Sequence, residues 1–219
     1  MKQLNHHIEF VFGGTFDPIH SGHLAIIHAL TKQAPDYPIR LIPCSIPALK
    51  KQPATSFEQR LEMLQLATQN LPNIIIDERE NNREGASYMV DTLKSLSQEF
   101  PGKKLILAMG ADSVVELTQW FEWQKLTQLC HLLVLNRPGI SASSVELSVS
   151  EAAFSLSTSF LSLTQNSSGY AYLLEMPEKT ESSTQIRRSF RQYRDNNLEL
   201  DSLLPQSVIK YINSHHLYQ

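Results

Sequence analysis

The chain has 219 residues, 42% of them hydrophobic, which is enough for one substantial α/β core. Twenty-two acidic against nineteen basic side chains give a net charge of −3, so there is no overall basic field of the kind that drives nucleic-acid binding. No apolar run approaches the length that spans a bilayer, and the opening MKQLNHHIEF lacks the apolar core of a signal peptide, which points to the cytoplasm and away from a membrane. Cys44 and Cys130 lack the paired spacing of a zinc site, and two cysteines make no disulfide framework; both read as free buried thiols.

In chain order, Ile8, Phe10, Val11 and Phe12 read as a buried strand, and Leu24, Ile26, Ile27 and Leu30 fit a helix with one apolar face. Between them stands GGTFDPIHSGH, residues 13–23, where a strand hands over to a helix. Gly13 and Gly14 are expected in the turn, where glycine permits backbone angles barred to other residues and lets a ligand approach the main chain. The helix behind them offers unpaired N–H groups and a positive dipole end to an anion. His20 and His23, three apart, can project together toward that anion. With Thr15, Asp17, Pro18 and Gly22 in the same turn, this is the chemistry of a triphosphate site.

The pattern then predicts a strand over 39–43, a helix over 57–66, a strand over 74–77, a helix over 88–96 and buried strands over 104–109 and 131–135. Residues 141–168 are rich in serine. Phe154, Phe160 and Leu163 within them argue for a helix-containing insertion over a flexible linker. A strand over 170–174 and a docked terminal helix over 203–217 complete the order. Repeated βα units imply an α/β fold, a doubly wound, Rossmann-like parallel sheet in a single domain over 1–219, with 181–219 as its helical end. Ligands are then expected outside the carboxyl ends of the strands.

A second phosphate signal is ESSTQIRRSF, residues 181–190. Ser182, Ser183 and Thr184 are favoured at helix N-termini, where a hydroxyl can also donate to a phosphate oxygen, and Arg187 one turn on can form a two-pronged phosphate contact. Two helix N-termini at one sheet edge can hold a triphosphate between them.

GGTFDPIHSGH together with SSTQIR resembles the HxGH nucleotidyltransferase superfamily, and is most similar to its bacterial nicotinate mononucleotide adenylyltransferases. IPCSIPALKK, ASYMVDTL, MGADSVVELTQWFEW, NRPG and LLPQSVIKYINSHHLY extend the resemblance over nearly the whole chain except about 140–169. The resemblance implies adenylyl transfer from ATP to nicotinate mononucleotide, with release of pyrophosphate. His20, His23 and Arg187 are the implied catalytic residues. Gly13, Gly14, Thr15, Phe16, Gly22, Gly110, Asp112, Ser183 and Thr184 would bind ATP. Lys50, Ser87, Trp120, Phe121 and Arg137 would bind the acceptor. Mg²⁺ would bridge phosphate oxygens, with no metal held by protein side chains. Self-association into a homo-oligomer stays open.

This chain departs from the family pattern at Leu49, where a histidine is usual, and at Met89, where a threonine is often found; Glu181 replaces an apolar residue before the serines. A methionine thioether cannot donate to a carboxylate, so Ser87 or backbone N–H groups would have to read the nicotinate carboxylate. Three alternatives follow: dual use of nicotinate and nicotinamide mononucleotide, another transferase of the superfamily, and a nucleotide-binding regulator without catalysis.

Overall fold

The computed structural model describes residues 7–49, 51–177, 181–192 and 198–219. Its strands are β1 (Ile8–Gly14), β2 (Ile39–Pro43), β3 (Ile74–Ile76), β4 (Lys104–Gly110), β5 (His131–Leu135), β6 (Ser155–Ser157) and β7 (Tyr170–Leu174). Among the described residues these seven form one parallel sheet in the order β3-β2-β1-β4-β5-β7-β6. The helices are α1 (Ser21–Gln33), α2 (Phe57–Thr68), α3 (Met89–Glu99), α4 (Ala111–Val114), α5 (Leu126–Leu129), α6 (Ala142–Glu151), α7 (Leu161–Gln165), α8 (Ser183–Gln192), α9 (Leu198–Leu203) and α10 (Gln206–Ser214).

Because strand side chains alternate between faces, each central strand feeds two cores. Phe10 and Phe12 of β1, Ile106 and Ala108 of β4, and Leu133 and Leu135 of β5 enter one apolar layer with Ile27, Leu30, Leu64, Phe190, Val208 and Ile212 from the helices. Val11, Leu105, Leu107, Leu132 and Val134 enter the other, with Val90, Leu93, Leu96 and Val145. Helices therefore cover both faces, the doubly wound arrangement that the βα alternation predicts. Among the described residues no helix is long and apolar enough to cross a membrane.

The chain runs outward from β1 through β2 to β3, then returns to place β4 on the other side of β1. That reversal makes the β1/β4 junction the switch point, and the crevice beyond its carboxyl ends is where such sheets bind ligands. Gly14 ends β1 there and Gly110 ends β4.

The 141–168 interval supplies α6, α7 and the edge strand β6. Three residues, two of them exposed, leave no alternation to read, which is why this strand escapes a pattern search. Cys130 is buried and its thiol is pushed up by desolvation, whereas Cys44 at the end of β2 is only half-buried, so the expectation of two buried thiols holds for one.

Candidate active site

The phosphate turn differs from its expected form in one respect. Gly13 and Gly14 are the last residues of β1, and the left-handed residue is Phe16, at φ 50°. Both glycines stand in close quarters. A Cβ on Gly13 would stand 2.5 Å from the Met89 methyl, and one on Gly14 would stand 2.8 Å from the Phe16 ring, which folds back beneath the strand end. Phe16 is buried and packs edge-on against His23 at 5.0 Å.

His20 and His23 cap α1 reciprocally. The N–H of Gly22 donates to His20 Nδ1 at 3.1 Å, and the N–H of His20 donates to His23 Nδ1 at 3.3 Å, a capping box built from imidazoles. Since Nδ1 accepts in each ring, the ring proton sits on Nε2 in both. The rings lie 3.8 Å apart, so two Nε2–H donors project side by side from the helix start. Burial, and secondarily Arg137, lowers the His20 pKa to about 4, which keeps the ring neutral near pH 7. Ser21 Oγ, on the first residue of α1, is buried and has no hydrogen-bond partner among the described residues. A pattern search gives no reason to single it out.

Two guanidinium groups flank this turn. On one side Arg187 Nη1 donates to the Asp17 carbonyl at 2.6 Å and lies 3.8 Å from the Asp17 carboxylate, while Nη2 donates to Thr184 Oγ1 at 3.3 Å. Ser183 Oγ donates to the Pro18 carbonyl at 3.1 Å, and Ser182 forms a capping box with Gln185. The start of α8 is thus docked on the turn, which brings together two motifs more than 160 residues apart. On the other side Arg137 pairs with Asp112 at 3.5 Å, and its Nη1 stands 3.5 Å from where a Gly22 Cβ would be. Asp112, on α4, is exposed.

Asp17 is buried and holds the turn from below. Its carboxylate accepts from the Ala54 N–H at 2.7 Å, Thr55 Oγ1 at 2.8 Å and the Tyr218 hydroxyl at 2.7 Å. The carboxylate pushes the Tyr218 phenol well above its ordinary range, with burial the larger cause. The penultimate residue, Tyr218, is therefore part of the phosphate turn's support.

The residues expected on the acceptor side lie across the β1/β2 strand ends. Ser87 Oγ accepts from the N–H groups of Ser45 and Ile46, at 3.1 and 3.2 Å, and lies beside the buried Glu80 carboxylate, whose charged form it favours. Both acceptor positions of the hydroxyl are engaged by the backbone, so Ser87 organises this loop. Tyr88 packs against Phe121 in a tilted pair with centroids 4.4 Å apart, and Trp120 is half-buried against the second core layer. Tyr88 was absent from the expected site set; its place before the α3 start gave the only hint. Glu122, left-handed at φ 50°, pins this aromatic turn to α3 through Lys94 at 2.7 Å. No described side chain caps the N-terminus of α3. Lys50 lies outside the described residues.

Directed N–H and guanidinium donors at the switch point of a doubly wound sheet make this an α/β protein with a phosphate-binding crevice. The cytidylyltransferase-like family model matches residues 11–189. Relatives named "Probable nicotinate-nucleotide adenylyltransferase" are 39% identical over 95% of this chain and 94% of the relative in Serratia proteamaculans, and 38% identical over 100% and 99% in Yersinia pestis. The chain belongs to the nicotinate-nucleotide adenylyltransferase family, as the HxGH resemblance implied. In fold it is similar to a Plasmodium falciparum nicotinic acid mononucleotide adenylyltransferase solved with NaAD, at TM-score 0.77 and 19% identity over 96% of this chain and 97% of that one. The same protein solved with APC gives TM-score 0.75 over 97% of each chain.

Proposed function

We infer that this chain transfers the adenylyl group of ATP to nicotinate mononucleotide, giving nicotinate adenine dinucleotide and pyrophosphate in NAD biosynthesis. The observation that carries the mechanism is the imidazole capping box, which fixes the Nε2–H of His20 and of His23 as neighbouring donors.

A phosphate monoester is mostly ionised at neutral pH, with a second pKa of about 6, so the acceptor needs no general base. It attacks the α-phosphorus in line, without a covalent intermediate, and negative charge grows on the departing pyrophosphate. His20, held neutral, serves as a hydrogen-bond donor and not as a proton source. His23 donates beside it. Arg187 and Thr184 approach the outer phosphates from α8, whose start Ser183 holds on the Pro18 carbonyl. Arg137, beside His20 and Gly22, is placed to hold the attacking phosphate next to the α-phosphate, since nucleophile and electrophile must be neighbours. Gly110 and Asp112 border the adenosine side.

Mg²⁺ travels with ATP in this reading. The turn's donors suit phosphate oxygens, and the Asp17 carboxylate is already engaged by Ala54, Thr55 and Tyr218. When bound, the ion neutralises phosphate charge. The pyridinium ring lies against Trp120 and the Tyr88–Phe121 pair, where an aromatic face attracts a cation. The carboxylate is read by the uncapped N-terminus of α3, with Ser87 holding the loop beside it. The reaction is placed in the cytoplasm.

Incubation with ATP, Mg²⁺ and either nicotinate or nicotinamide mononucleotide, with pyrophosphate as readout, tests this. Turnover with the nicotinate acceptor is expected, and stops when EDTA removes the metal. Product from neither acceptor overturns the reading.

A further inference from the structure

Two buried ionisable residues take no part in the chemistry above. Arg60, on α2, is 1% exposed, and Glu80, before α3, is 4% exposed. They grip the same two peptide bonds from opposite sides. Arg60 Nη1 donates to the Cys44 carbonyl at 2.6 Å and Nη2 to the Ser45 carbonyl at 3.3 Å. The N–H groups of those same peptide units, on Ser45 and Ile46, donate to Ser87 Oγ, and the Ser87 hydroxyl and the Ser45 backbone beside Glu80 favour its charged form. In a trans peptide C=O and N–H point in opposite directions, so both dipoles run from the carboxylate side to the guanidinium side in the favourable sense. Thr92 Oγ1 secures Glu80 at 2.7 Å. The second proton of Arg60 Nη1 goes to the Thr15 carbonyl at 2.8 Å, inside the phosphate turn.

The result is a continuous chain: Glu80, Ser87, the Cys44–Ile46 peptides, Arg60, Thr15. One end stands at the acceptor-side start of α3 and the other at the triphosphate turn. A buried charge is costly unless dipoles or an opposite charge compensate it, and here each compensates the other through the peptides between them. Burial raises the Glu80 carboxyl and lowers the Arg60 guanidinium from their ordinary values, the expected consequence of such depth.

We propose that Arg60 and Glu80 are positioning residues that work as a pair, through Ser87 and the Cys44–Ile46 segment, to set the acceptor phosphate in line with the α-phosphate of ATP. The proposal rests on the adenylyl-transfer reading for the reaction that reports it. Bond-forming geometry tolerates little displacement, and this chain is the covalently short, hydrogen-bonded route between the two substrate sides.

The test uses Arg60→Lys, Glu80→Gln, Ser87→Ala and their pairwise doubles. Turnover and KM for both substrates are measured well below the melting midpoint, alongside hydrogen exchange over residues 13–16 and 44–47. Each single variant is expected to lower kcat about tenfold, the size of one lost hydrogen bond to a charged group, with KM for ATP moving less than kcat. Arg60→Lys/Glu80→Gln should fall no further than its worse parent. Ser87→Ala should speed exchange at the amides of residues 45 and 46 and also in the phosphate turn. Multiplicative losses in the doubles, wild-type kcat in Glu80→Gln and Ser87→Ala, or exchange changes confined to 44–47 would each overturn the pairing. If Arg60→Lys fails to fold, the Glu80→Gln/Ser87→Ala cycle decides by the same criterion. A wild-type protein inert toward both acceptors removes the reaction reading, and the exchange measurements still decide the coupling.

Discussion

In the phosphate turn the polar groups are tied down before any ligand arrives. Both imidazoles are locked by backbone N–H groups, Arg187 is anchored on the Asp17 carbonyl, and Asp17 itself accepts three hydrogen bonds. Across the strand ends, the acceptor side offers a Phe121 that is 51% exposed and a Leu49 that is 60% exposed. The difference fits what each side is proposed to bind. Stabilising charge on a leaving phosphate needs donors already aimed at it, because reorientation during the reaction costs energy. Holding a flat cationic ring needs aromatic area, which keeps most of its value when the geometry shifts. Mutations should therefore act on kcat in the first region and on acceptor KM in the second.

The largest effect is expected at His20. Asparagine is favoured at a helix N-cap, so His20→Asn keeps α1 capped while removing the Nε2 donor. Its kcat should fall about 10²–10³-fold, the usual consequence of losing one preorganised donor. His20→Ala should lose as much kcat and, in addition, about 1 kcal/mol of stability in urea melts. A His20→Asn enzyme within about tenfold of wild type would remove the donor role and leave only the cap.

Arg187→Lys comes next. The guanidinium divides its fork between the Asp17 carbonyl and Thr184, a geometry an ammonium cannot reproduce. Loss of roughly ten- to a hundredfold in kcat/KM for ATP is expected, with acceptor KM nearly unchanged. An equal rise in acceptor KM would erase the division between the two regions.

How much of this was legible in the sequence follows the same division. The strands with continuous apolar runs and the helices with one apolar stripe stand where periodicity puts them, because β1, β4 and β5 are buried on both faces. The two phosphate motifs carried their own local chemistry, and the fold brings them together at Ser183 and Arg187. The close contacts of the glycine pair were only partly legible, since the Met89 methyl beside Gly13 is a tertiary neighbour and the Phe16 ring reaches Gly14 through a left-handed turn at residue 16. Arg60 and Glu80 left no readable signal and Tyr88 only its place before α3: their meaning lies in contacts with loops up to 45 residues away along the chain.

His20 also predicts an acid response that originates in the phosphate turn. Its folded pKa, about 4, lies below the ordinary value of 6.5, so the unfolded chain binds the extra proton first. The contribution to stability is complete above about pH 6.5 and is lost as the pH falls through about 4. Between pH 7.5 and pH 5 this amounts to about 2 kcal/mol. Urea unfolding at the two pH values should show it in the wild type and not in His20→Asn. Equal acid sensitivity in both proteins would assign the loss to other groups.

The smallest effect sharpens the acceptor side. Trp120→Ala should raise the acceptor KM about 2- to 30-fold, the range that corresponds to losing 0.5–2 kcal/mol of cation–π attraction, with KM for ATP unchanged. Phe121→Ala should act in the same direction and less strongly, since its ring is already packed against Tyr88. Nicotinate and nicotinamide mononucleotide both carry the quaternised ring, so stacking cannot tell them apart. Their discrimination must come from what meets the carboxylate or amide, which is assigned to the start of α3. The ratio of kcat/KM between the two acceptors should thus survive Trp120→Ala even as both values drop. A changed ratio would move carboxylate recognition from the α3 start to the Trp120 turn.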